Sequence, residues 1–139
     1  MITKGVAKYV YLDSTEKYQG EDTGKYTLTV GITNAEAKKL EDIGVKVRTI
    51  TDQDTGKDIK IRKFSTQYKL QDNMIQTEGG DVIGTDFGAG SGVQVLWKAG
   101  KAHPTHGVAT YLTAIKVADE HEPGFKGANE EISDFLSQA

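Results

Sequence analysis

Apolar residues recur at every second position through much of this 139-residue chain, the spacing of half-buried β-strands. Between Lys4 and Leu12, Val6, Val10 and Leu12 take one face while Ala7, Tyr9 and Tyr11 take the other. Between Lys25 and Ile32, Tyr26, Leu28, Val30 and Ile32 form an apolar face opposite Lys25, Thr27 and Thr29. The period then lengthens: "NAEAKKLEDIG" reads as a helix capped by Asn34, striped by Ala37, Leu40 and Ile43 and stopped by Gly44. Strands follow at "VKVRTI" and at 57–70, and a polar, glycine-rich segment runs to Gly92. "VQVLWK" and "GVATYLTAIKV" read as a terminal strand pair. Their connection, "AGKAHPTHG", is too long for a tight hairpin and is a candidate binding loop.

The sum is a mainly all-β chain of five to six strands with one short helix. A small OB-type barrel suits it, because such a barrel closes around one core and leaves an outward strand face with long loops; an open β-sandwich is the structural rival. The tetrapeptide "DTGK" occurs at 22–25 and at 54–57, each time before a strand, and reads as a turn. Neither copy is a P-loop, since Tyr26 and Asp58 stand where Ser or Thr is needed, and "DQDTGKD" misplaces the glycine of an EF-hand.

Charge divides the chain. Residues 1–118 carry 16 Lys+Arg against 14 Asp+Glu, whereas residues 119–139 carry Lys126 against six acids, within a total of −3. A slightly basic body, 1–118, thus precedes an acidic tail, 119–139. In the tail Ile132, Phe135 and Leu136 sit at helical spacing. There is no cysteine, so disulfides and thiolate metal sites are excluded. No run approaches the ~20 apolar residues of a membrane span. The N-terminus alternates instead of showing a signal peptide's apolar run, so a soluble protein with no membrane partner is expected.

The candidate chemistry lies in "KIRKFSTQYK". Alternation puts Lys60, Arg62, Phe64, Thr66 and Tyr68 on one face. Ile59 and Ile61 suit a core, so that row is expected to face solvent, beside Lys63. Cations interleaved with rings suit single-stranded nucleic acid, whose phosphates the cations follow and whose unstacked bases the rings accept. Lys98 and Lys101 extend the basic set, and Tyr9, beside Lys8, is the preferred further outward ring. Alternation with Val93 and Val95 turns Trp97 inward unless a bulge reorients it. Tyr11 and Tyr111 can face either way. "HPTH" (His103 to His106) lacks a third ligand for zinc. "DFGAGSG" lacks dinucleotide-loop spacing and reads as a flexible loop. No nucleophile, base and acid form a catalytic set, and no cofactor is implied.

The segments "AKYVYLDSTEKYQGEDTGKYTLTVGI", "IKIRKFSTQYK" and "VIGTDFGAGSGVQVLWKA", leading to "GVATYLTAIKV" and an acidic end, resemble the single-stranded DNA-binding proteins of podovirus-type bacteriophages. The likeness covers most of residues 5–120. It implies an OB-fold that coats exposed strands in replication, recombination and repair, in the cytoplasm of an infected bacterium. Lys60, Arg62, Lys63, Lys98 and Lys101 would hold phosphates, and Phe64, Tyr68, Tyr9 and Trp97 would accept bases. Glu130, Glu131, Asp134 and Phe135 of the tail would contact phage replication proteins. The resemblance leaves room for a homodimer. "DFLSQA" departs from the family's tails, which end in an aromatic residue. The alternative is a virion adaptor barrel whose aromatic face meets another protein.

Overall fold

A computed structural model describes residues 1–52, 55–85 and 87–120. The tail positions Glu130, Glu131, Asp134 and Phe135 lie outside the described residues. In chain order the strands are β1 (Ile2–Tyr11), β2 (Lys17–Tyr18), β3 (Glu21–Asp22), β4 (Tyr26–Ile32), β5 (Arg48–Thr51), β6 (Asp58–Thr66), β7 (Ile75–Thr77), β8 (Gly92–His103) and β9 (Gly107–Val117). Helix α1 (Asn34–Asp42) lies between β4 and β5, and a 3-10 turn (Asp72–Met74) leads into β7.

Five strands close into a ring. The C-terminal half of β1 pairs antiparallel with β4 and its N-terminal half with β8. β4 pairs with β6, and β8 with β9. A parallel contact, Ser65 opposite Tyr111, joins β6 to β9 and shuts the barrel. The ring order β1-β4-β6-β9-β8 is that of an OB-type barrel, with β5 added to β6 and β7 added to β9.

Three register shifts interrupt simple alternation, one between β1 and β4 and two between β8 and β9, at Leu96/Trp97 and at Ala99/Ala102. A bulge between Ala7 and Tyr9 shifts the phase of β1. Thr3 and Ala7 point inward before it and Leu12 after it, so Tyr9 and Tyr11 emerge at the surface. The later β8–β9 irregularity, between Ala99 and Ala102, lies where a long loop is expected. The strands in fact continue through that segment, with Ala102 opposite Val108 and His103 opposite Gly107, leaving Pro104, Thr105 and His106 as the turn. His103 Nδ1 accepts the backbone N–H groups of Thr105 (3.1 Å) and His106 (3.2 Å), so this nitrogen caps the turn.

Leu28, Val30, Phe64, Val95, Trp97, Leu112 and Ile115 fill the barrel, joined by Ala37 and Leu40 of α1. The helix cap is Thr33, one residue before the expected Asn34; its Oγ1 accepts the Glu36 N–H at 3.2 Å. Ile43 is exposed and does not extend the helix stripe. Phe87 is buried, and Gly90 N–H donates to Ala7 O while Ala7 N–H donates to Ser91 O. This part of the glycine-rich segment is therefore fastened to β1 and is no free loop.

Candidate nucleic-acid interface

The register of β6 overturns the expected direction of its basic and aromatic row. Phe64 lies opposite Leu28, Arg62 opposite Val30 and Lys60 opposite Ile32, and cross-strand partners share a face. Leu28 and Val30 are fully buried, so that face is the barrel interior. Phe64 is 0% exposed and Trp97 1%, with their ring centroids 5.8 Å apart. Trp97 Nε1–H donates to Thr3 Oγ1 at 2.8 Å, which satisfies its one polar atom in the core. Neither ring can stack on a base.

Arg62 is spent internally as well. Its Nε and one terminal nitrogen donate to Thr110 Oγ1 (3.1 and 3.0 Å), and the other terminal nitrogen donates to Lys46 O (2.9 Å). Burial draws its pKa below the ordinary arginine value, and these acceptors meet the desolvated donors. Lys60 shares the interior-facing row at the barrel's end and is half-buried. Alternation correctly grouped the row, but it cannot say which side of a closed sheet is the outside.

The outer face carries a different aromatic set. Tyr11, Thr27, Ser65, Tyr111 and Lys98 are successive partners across β1, β4, β6, β9 and β8. Tyr9, Thr29 and Lys63 make the adjoining row. Tyr9 is 48% exposed, Tyr11 38% and Tyr111 52%, whereas Thr27 and Thr29 are buried between their larger neighbours. With strands ~4.8 Å apart, Tyr11 and Tyr111 stand ~14 Å from each other along the sheet. The result is a face on which exposed tyrosines flank covered hydroxyl residues. The Tyr111 ring lies over Gly100, where an added Cβ would be 2.4 Å from its Cε2, so only glycine leaves the ring in place.

Of the expected site, Tyr9, Lys63 and Lys98 come together on this face. Lys101 is exposed on the β8–β9 hairpin. Tyr68 lies past the end of β6 and is 78% exposed. Tyr11 and Tyr111 were ambiguous by alternation, and only the β1 bulge and the β6–β9 closure bring them into one row. Three nearby lysines have acidic partners: Lys63 Nζ is 2.7 Å from Glu16 Oε1, Lys8 Nζ is 3.4 Å from Asp52 Oδ2, and Lys69 Nζ is 3.9 Å from Asp13 Oδ1. No cluster of three or more His, Asp or Glu side chains suited to a metal occurs among the described residues.

No family model and no curated protein matches the chain in sequence. Solved structures do match in shape. A C-terminally truncated single-stranded DNA-binding protein from bacteriophage Enc34 aligns with a TM-score of 0.54 at 11% identity, over 87% of this chain and 86% of that one. The protein from the same phage in complex with ssDNA aligns with a TM-score of 0.50 at 13% identity, over 86% and 84%. The fold is shared with phage single-stranded DNA-binding proteins. At these identities the likeness concerns the barrel and its connections, and what the face does must be argued from its own residues.

Proposed function

We propose that this chain is a non-enzymatic single-stranded DNA-binding protein that lays the strand across the outer face of β1, β4, β6 and β9. The observation that carries the reading is the exposed trio Tyr9, Tyr11 and Tyr111 around buried Thr27 and Thr29. Flat rings offered to solvent at strand spacing accept unstacked bases of any identity, so recognition is largely independent of sequence. Lys8, Lys63, Lys98 and Lys101 supply cations beside or near the rings, and phosphate neutralisation releases counterions. That a structural neighbour is solved with ssDNA supports this use of the barrel. The proposed setting is coating of exposed DNA during phage replication, recombination and repair in the host cytoplasm, with the tail contacting replication proteins.

The test is anisotropy of a labelled oligo-dT at two salt concentrations. Trp97 is a poor reporter because it is enclosed in the core. Binding should weaken as salt rises, and Tyr11→Ala should lose about 1–3 kcal/mol of affinity with its fold intact. An absence of binding at low salt, or full affinity in folded Tyr11→Ala and Tyr111→Ala proteins, would sink the reading. A protein-contact reading would draw not on an aromatic face but on a groove of about 330 Å³ lined by Ile2, Met74, Leu96 and Ala114 together with Asn73, Gln76, Gln94 and Lys116. A folded protein indifferent to oligo-dT would direct attention to that groove.

A further inference from the structure

Two of the lysines assigned to the tyrosine face meet carboxylates from loops that flank it. Glu16 belongs to the connection between β1 and β4, and its backbone is held from both sides. Its N–H donates to Lys25 O (2.8 Å), while its carbonyl accepts the Thr23 N–H (2.9 Å) and the Thr23 hydroxyl (2.7 Å). The carboxylate reaches over the tyrosine face, where Oε1 meets Lys63 Nζ at 2.7 Å and Oε2 accepts the Thr27 hydroxyl at 3.3 Å. Its side chain is 14% exposed, so it is a seated group and not a waving one. On the other flank, Asp52 meets Lys8 at 3.4 Å and is fixed by its own turn, with its N–H donating to Lys57 O and its carbonyl accepting the Gly56 N–H.

We propose that Glu16 is a built-in phosphate substitute, an electrostatic latch that occupies Lys63 in the free protein and must yield that lysine when a single strand binds. The inference rests on the ssDNA reading and concerns how the same face is regulated. A carboxylate and a phosphate oxygen make the same charge-assisted hydrogen bond to an ammonium group, so the two compete for one site. The ion pair is partly solvated and therefore weak. A weak pair suits a latch: a polyanion can displace it, whereas an isolated carboxylate metabolite, without neighbouring phosphates to follow Lys8 and Lys98, gains less by doing so. The latch thereby raises the threshold for short or weakly charged anions on the face.

The experiment compares wild type with Glu16→Gln in oligo-dT titrations at several salt concentrations. The amide keeps the shape and the bond from Thr27 but frees Lys63. Affinity at low salt should rise about two- to fivefold, and the plot of log affinity against log salt should steepen by about 0.7, one phosphate more on a single strand. Circular dichroism melting checks the fold. If Glu16→Gln is unstable, Asp52→Asn, which frees Lys8, is read in the same way. Unchanged affinity and slope, with wild type still binding, overturn the latch and leave the ssDNA reading standing. Weaker binding by a folded Glu16→Gln protein also overturns it, since the carboxylate would then be contacting the strand itself. No binding by wild type or by either variant overturns the reading of the face and the latch with it.

Discussion

Phe64 shows how one ring's direction changes what it is for. It packs tilted at 50° against Trp97 on a strand where Lys63, its neighbour, faces out. Truncating a fully buried phenylalanine removes its transfer free energy and leaves a cavity, so Phe64→Ala should cost about 3–5 kcal/mol of stability. Urea denaturation reads that loss. The folded fraction should keep its oligo-dT affinity, which is the reverse of what a base-stacking ring predicts. Arg62 makes the same point with charge, because its guanidinium fork joins β6 to β9 and to the segment after α1, so that all three of its nitrogens are engaged inside the protein. The grouping of Lys60, Arg62 and Phe64 was legible in the sequence, since strand periodicity is two wherever the strand lies. Their inward direction was not, because Ile59 and Ile61 make the opposite side look equally apolar, and only pairing with Leu28 and Val30 decides between them.

At the scale of elements, the strands β4, β8 and β9 were readable from alternation, whereas what bends or flanks them was not. The β1 bulge at Lys8 leaves no mark in a polar-apolar pattern, yet it turns Tyr9 and Tyr11 to the surface. The expected loop after Ala99 is instead a continued pair of strands, because cross-strand bonding resumes past the bulge and His103 closes the turn. The connection that presents Glu16 is stabilised by Asp22, whose pKa is held below the ordinary carboxylate value chiefly by the Thr15 side chain, then by the Gly24 N–H at 2.8 Å and by Lys17. A carboxylate with a depressed folded pKa contributes its stabilisation above the unfolded value, and that contribution is lost as pH falls through the lowered one. The Gly24 amide resonance should therefore titrate with a midpoint below the ordinary carboxylate value. A midpoint at or above the ordinary value would show that Asp22 is not held in this way.

The whole molecule poses the question of where the binding body stops. Charge alone puts the expected boundary after residue 118, and among the described residues hydrogen bonds reach one position past it. Ala118 N–H donates to Gly92 O at 2.9 Å, and Asp119 Oδ1 accepts the Gly79 N–H at 2.9 Å, tying the end of β9 to β8 and to the turn after β7. A chain ending at Glu120 keeps both bonds and the closed ring. It also loses Glu122, Glu130, Glu131 and Asp134 against Lys126, which brings the formal charge from −3 to zero. Less repulsion from a polyanion means faster encounter and tighter low-salt binding. The 1–120 protein should therefore melt as cooperatively as the full chain, within about 1 kcal/mol of its stability, and bind oligo-dT at least as tightly at low salt, the difference shrinking as salt screens the tail. Calorimetric melting and the same anisotropy titration check both halves. Loss of cooperative melting on removing residues 121–139 would mean that they belong to the folded body and that the division into body and tail is wrong.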